Sequence, residues 1–246
     1  MRGIIAMLCV VLAVLFMMPL SCSSRDSGTK VEILLGINIP RDGDGKRPSA
    51  MPFSQAMGRQ IFKTLEQRLH SVGYKGFEVN WESGFNILVT VPFDSAPDKN
   101  EIVKLERLFT HRGVLEFREQ KPDGISNALE WSTVMDGSLI DRESVTLRTN
   151  KDMGTQEIAF SFNEKGKKLF EEVTARNKGK KLGIFLDGNL LTAPIVMEAI
   201  KDGKSVITGA YNNTESECRE WAACLRQPPL PVQLTVKKTE VKALQR

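Results

Sequence analysis

The run from Lys181 to Leu234, KLGIFLDGNLLTAPIVMEAIKDGKSVITGAYNNTESECREWAACLRQPPLPVQL, admits few backbones. Gly183 to Leu186 is a short apolar strand, and Asp187-Gly188 is a dipeptide that readily takes the positive φ angles of a two-residue hairpin turn. A second strand spans Leu190 to Val196, and Pro194 within it cannot donate to a ladder, which predicts an edge or a bulge. A third strand covers Ser205 to Tyr211. Thr214-Glu215-Ser216-Glu217 then reads as a capping box, opening a helix with Cys218, Trp221, Ala222 and Leu225 on one face. Pro228, Pro229 and Pro231 remove donors and fix φ, so the chain leaves the helix as a stiff connector.

The order of these motifs closely resembles the first large periplasmic domain of the SecD family, accessory subunits of the bacterial Sec translocase. The residues that carry the resemblance are LDGNLLTAPIV, then I-x-x-G-x-x-x-I-x-G-x-Y from Ile200 to Tyr211, then T-E-S-E-x-x-x-x-A-x-x-L-R, then LPVQL. Two further segments fit the same family: Gly113 to Arg118, GVLEFR, and the run from Phe160 to Lys180 built on F-x-F-N-x-x-G. The first strand departs from the family, with Gly36-Ile37-Asn38-Ile39-Pro40 where a glycine pair is usual.

At the amino terminus, Arg2 precedes an unbroken apolar run from Ile4 to Met18 and then Pro19-Leu20-Ser21-Cys22. Residues 1–21 therefore read as a signal peptide or anchor, and 22–30 as a tether. Cys22 after small residues resembles the lipid-attachment site of a bacterial lipoprotein, which predicts an extracytoplasmic, membrane-anchored protein. An ordinary cleaved signal and an uncleaved single anchor remain open beside it.

The first half carries the pattern β-α-β-β-α-β. A strand over Val31 to Ile39 is followed by a helix with Met57, Ile61, Leu65 and Leu69 inward. A hairpin alternates through Phe77, Val79 and Trp81 and returns through Phe85 to Val91. Ser95 is the expected cap of a second helix, with Ile102, Leu105 and Phe109 inward, and Val114 to Arg118 is the expected fourth strand. The fold class is thus α+β: a ferredoxin-like base (residues 31–118 and 229–246) with an inserted α+β head (residues 119–228). Leu129 to Val134 reads as loop or short helix. Pro122, Gly124, Pro228 and Pro229 mark two crossings between base and head, and hence a hinge.

Chemistry is sparse along the chain. The only histidines, His70 and His111, are far apart near helix ends, and cysteines and histidines are not spaced as metal ligands. Cys218 and Cys224 stand six residues apart, about 9 Å on a continuous helix and beyond disulfide reach. Asp187 reads as a turn residue. The basic runs Lys165–Lys168 and Lys178–Lys181 are either a solvated face or a contact for an anionic membrane. A formal charge of +4 on 246 residues is too mild for a dedicated nucleic-acid binder. No enzyme activity and no cofactor are expected.

The family resemblance implies the binding of exported polypeptide chains, with the Sec translocon or a separate membrane subunit as partner and the proton-driven motor supplied elsewhere. Trp131, Pro194 and Tyr211 are the candidate polypeptide-binding residues, with core packing the competing role for the two aromatics. A non-catalytic envelope adaptor that binds a folded partner is the alternative.

Overall fold

Residues 28–38, 54–122, 129–152, 154–208 and 214–244 are described by the computed structural model. Strand β1 (Thr29–Asn38) buries Val31, Ile33 and Leu35, the alternate positions of a pleated strand with one covered face. Helix α1 (Gln55–Val72) is capped by the Ser54 side chain, which accepts from the Met57 amide, and buries Ile61, Leu65 and Leu69. Strands β2 (Glu78–Glu82) and β3 (Asn86–Phe93) form the expected hairpin. Helix α2 (Lys99–Thr110) is capped by Asp98 rather than Ser95: the Asp98 carboxylate accepts from the Glu101 amide at 2.8 Å. Its buried residues are Leu105, Leu108 and Phe109.

The sheet over these helices has the order β11-β1-β3-β2, where β11 is Gln233–Ala243, and every neighbouring pair is antiparallel. That order is compatible with a split β-α-β base of the ferredoxin-like kind. The strand completing it is β11, not the expected Val114 to Arg118. Leu115 and Phe117 alternate as well as any base strand, but β4 (Leu115–Pro122) pairs with β5 (Leu129–Asp136) and β8 (Leu182–Leu186) in the head. Alternation selects a face, not a partner, and β11 offers β1 an almost full-length register from Thr29 with Ala243 to Asn38 with Gln233.

Between α2 and β11 the chain builds the head. One sheet has the order β5-β4-β8-β9, with β9 at Asn189–Thr192, so Leu129 to Val134 lies in a strand rather than a loop or helix. The other has the order β10-β7-β6, with β6 at Ile140–Thr149, β7 at Gln156–Phe162 and β10 at Lys204–Ile207. Helix α3 (Glu164–Arg176) is capped by Asn163, whose side chain accepts from the Gly166 amide. A second hydrophobic core, separate from that of the base, centres on the edge-to-face rings of Phe117, Phe160, Phe162 and Phe170.

Helix α4 (Glu215–Leu225) opens with the predicted capping box and serves both bodies. Cys218, Ala222 and Leu225 enter the head core, while Ala223 enters the base core. Cys218 and Cys224 are both buried and unbonded.

Candidate functional site

Strand β9 ends at Thr192, and the residues after it lie along the segment before β8. The Leu182 amide donates to the Pro194 carbonyl at 3.0 Å, the Val196 amide to the Lys180 carbonyl at 2.9 Å, and the Gly179 amide to the Val196 carbonyl at 2.8 Å. Thr174 on α3 fixes the far end: its hydroxyl donates to the Phe170 carbonyl at 2.7 Å and accepts from the Ile200 amide at 2.9 Å. Under the suspended segment lies a cavity of about 320 Å³, floored by Phe117, Phe170, Leu182 and Ile184 and rimmed by Pro194 to Glu198 and Val206. Ile195 and Met197 at its mouth are 56% and 79% exposed, the most exposed large apolar side chains among the described residues. Such side chains beside an apolar concavity are the features of a surface that accepts apolar segments.

A larger depression of about 620 Å³ lies on the base, over α1 and β2. Four of its walls are the polar side chains Gln55, Arg59, Lys63 and Glu66, and its aromatic pair, Phe62 and Trp81, is already in edge-to-face contact at 4.9 Å. The head groove, by contrast, is lined mainly by apolar residues, with Thr174, Glu198 and Ser205 the polar exceptions.

Trp131 does not line that groove. It lies on the opposite, outer face of the β5-β4-β8-β9 sheet, where its ring meets Phe185 edge-on at 5.4 Å and the Arg118 guanidinium lies 4.2 Å from the centre of the Phe185 ring. Gly183 makes this fit possible, because a Cβ there would fall 2.7 Å from both the Trp131 and Phe185 rings. Trp131 thus has the packing role. Pro194 is on the groove rim, and Tyr211, Cys22 and Gly124 lie outside the described residues. Pro122 lies at the outer end of β4, opposite Leu129 within the head sheet, and so is not at a crossing between base and head. Ile195 and Met197 do not stand out in the sequence, because an apolar residue in a short strand reads as core; the one signal for them is Pro194 beside them, which interrupts regular pairing.

The actual crossings run through residues 111–114 and 226–232, the second containing Pro228 and Pro229. They are bonded to each other: the Leu230 amide donates to the Arg112 carbonyl at 2.9 Å, and Arg112 Nε donates to the Leu230 carbonyl at 3.2 Å. Arg68 is fully buried and donates to the carbonyls of Leu108, His111 and Arg112, placing its charge at the negative end of α2. From the head side, the turn residue Asp187 (φ +50°) accepts from the Gly113 amide at 2.9 Å and the Val114 amide at 2.8 Å, and its other oxygen is 3.3 Å from His111 Nδ1. Burial alone would raise this carboxyl, but the His111 ring and the two amides outweigh it and hold it below the usual carboxylate range. Alongside, Arg107 Nε on α2 donates to Glu220 Oε2 on α4 at 2.9 Å.

Among the described residues no group of three or more His, Cys, Asp or Glu side chains could hold a metal ion. The junction's charged groups each hold backbone or one another, an arrangement that fixes geometry.

Comparison with known proteins points one way. Residues 113–232 match the family model of the SecDF P1 head subdomain. The chain is similar to the protein translocase subunit SecDF of Thermus thermophilus, 29% identical over 233 residues that cover 85% of this chain and 30% of the relative. It is similar to SecD of Rickettsia prowazekii, 29% identical over 230 residues, 83% of this chain and 43% of the relative. SecD of Acidaminococcus fermentans is 41% identical over 106 residues, 39% of this chain and 25% of the relative. The chain thus spans less than half the length of these relatives. Its fold is shared with a crystal structure of SecDF in a super-membrane-facing form (TM-score 0.67, 22% identity, 88% of this chain and 30% of that one). It is shared also with a structure described as a membrane component SecDF that enhances protein export (TM-score 0.61, 23% identity, 84% of this chain and 98% of that one).

Proposed function

Because this chain is a SecD-family periplasmic domain, we propose that it acts as an extracytoplasmic accessory factor in protein export that holds translocating or unfolded polypeptide. The observation that carries this role is the head groove, with Ile195 and Met197 exposed at the mouth of an apolar concavity. An extended chain placing alternate apolar side chains into such a groove is held by burial alone, about 25 cal/mol for each Å² of apolar surface removed from water. No acid, base or nucleophile is needed. Its partner in that role is the Sec translocon or a separate membrane subunit, and Cys22 carries the membrane anchor as a lipid. Mass spectrometry of the mature amino terminus tests the anchor: an unmodified Cys22, or a retained Met1, would remove it.

Capture is tested with a photo-crosslinking amino acid at position 197 and, as control, at Lys238 on the outer strand of the base. With a stalled secretory precursor in cells, the expected result is a precursor adduct at 197 well above that at 238. Equal labelling at the two positions would rule against capture by the head.

An adaptor that docks a folded envelope protein draws on a different observation. Trp81 and Phe85 on the β2–β3 hairpin are 44% and 46% exposed, a patch on the base rather than the head. A single stoichiometric folded partner, recovered with the natural chain and lost with Trp81→Ala, would decide for that role.

A further inference from the structure

The groove's surroundings carry a charge pattern that burial of an apolar segment does not use. On one side, the backbone of 178–182 pairs with 194–196, with bridges between Lys178 and Val196 and between Lys181 and Ile195, so exposed Lys178, Lys180 and Lys181 lie on the segment paired with the rim. On the other, Lys201 directly follows the lining residue Ile200, Lys204 directly precedes the lining residue Ser205, and Lys167 packs against Gly203. None of these six lysines has an ion-pair partner among the described residues, whereas Lys30 and Lys242 pair with Glu32, Lys104 with Glu101 and Lys121 with Glu119. The acidic groups beside them are Glu198, which lines the groove, Asp202, whose carboxylate accepts from the Lys204 amide, and Glu164 and Glu171, three before and four after Lys167 on α3.

Charges left without partners around an apolar cleft select by sign. At physiological salt the screening length is about 8 Å, so a carboxylate just outside the groove on an inserted chain feels the surrounding lysines, and one ammonium there is repelled by several. We propose that the head groove prefers extended segments in which a short apolar run is flanked by aspartate or glutamate, and disfavours those flanked by lysine or arginine. This rests on the groove being the polypeptide site. The partner is a peptide rather than an anionic lipid surface because the apolar lining is a concavity between α3, β8 and β10, which a side chain enters and a flat bilayer does not.

The test uses the whole chain and three fluorescent peptides sharing one Leu/Val core, with aspartate, serine or lysine flanks, followed by anisotropy. Affinity should fall in that order, with about a tenfold span between the acidic and basic peptides at about 50 mM salt that shrinks severalfold at about 500 mM. The triple variant Lys178→Glu, Lys180→Glu, Lys181→Glu, all exposed positions, should reverse the order with an unchanged circular dichroism spectrum, and Ile195→Asp should weaken all three peptides. Three equal affinities would overturn charge selection while leaving the groove a peptide site. No binding by any peptide would overturn both. Adsorption to phosphatidylglycerol vesicles without any order among the peptides would overturn it in favour of lipid.

Discussion

Asp187 shows how a single side chain is drawn into organising two bodies. As the first residue of a Asp-Gly turn it has a local reason to exist, and its φ of +50° is a conformation that Asp and Asn tolerate better than most residues. The turn also aims its carboxylate at the first crossing, where it holds the Gly113 and Val114 amides. Because its folded pKa is depressed, the carboxylate's stabilisation is complete above the unfolded value of about 3.9 and is lost as pH falls through the lower folded value. Asp187→Asn keeps the turn and removes the charge. It should cost about 1–2 kcal/mol at neutral pH, and the gap to the natural protein should narrow as the pH falls below the ordinary carboxylate range. Urea unfolding across that range checks it, and a gap that does not narrow in acid would mean that the charge is not what matters. The turn was legible from the dipeptide. Its second task was not, because the amides it holds stand more than seventy positions earlier, and only the folded chain brings them within reach.

At the level of elements, α4 was legible by half. The capping box and the face of Cys218, Trp221, Ala222 and Leu225 follow from local spacing, and that face packs on the head. The face toward α1 and α2 carries Ala223, Glu220 and Glu217, small or charged residues that periodicity assigns to solvent. The same limit explains the fourth base strand: β4 and β11 both alternate, and the choice between them lies in long-range pairing. Ala223 is fully buried where α4 meets the base, so close helix approach depends on its small size. Ala223→Leu should destabilise the protein by about 1–3 kcal/mol through overpacking. Burial pushes the thiols of Cys218 and Cys224 up, so neither should react until α4 opens. Iodoacetamide labelling followed by tryptic mapping, which separates the two at Arg219, should show Cys224 modified faster in Ala223→Leu. An unchanged rate would place the strain elsewhere.

Across the whole molecule, the question is what a swing of head against base would break. The two crossings are bonded to each other between Arg112 and Leu230, and Arg142 of the head donates to the Leu225 and Gln227 carbonyls where the second one begins. These contacts can turn as a unit, since both crossings leave the base together. The contacts that must part are those of α4 with α2, chiefly the half-exposed Arg107 with nearly buried Glu220 and with Glu217. Of the two hydrophobic cores, which form separate clusters joined mainly through α4, only the base core must give up a residue, Ala223. Arg107→Met should therefore loosen the head without unfolding it. Discounted for Arg107's exposure, the loss is about 1–2 kcal/mol, much of it from leaving Glu220 with Ser216 as its remaining side-chain partner. Spin labels at Met197 on the head and Lys63 on the base should give one narrow distance distribution in the natural chain and a broader one in Arg107→Met. A distribution unchanged in width would mean that the α2–α4 pair does not hold the head in place. The paired crossings, rather than the ion pair, would then set its orientation.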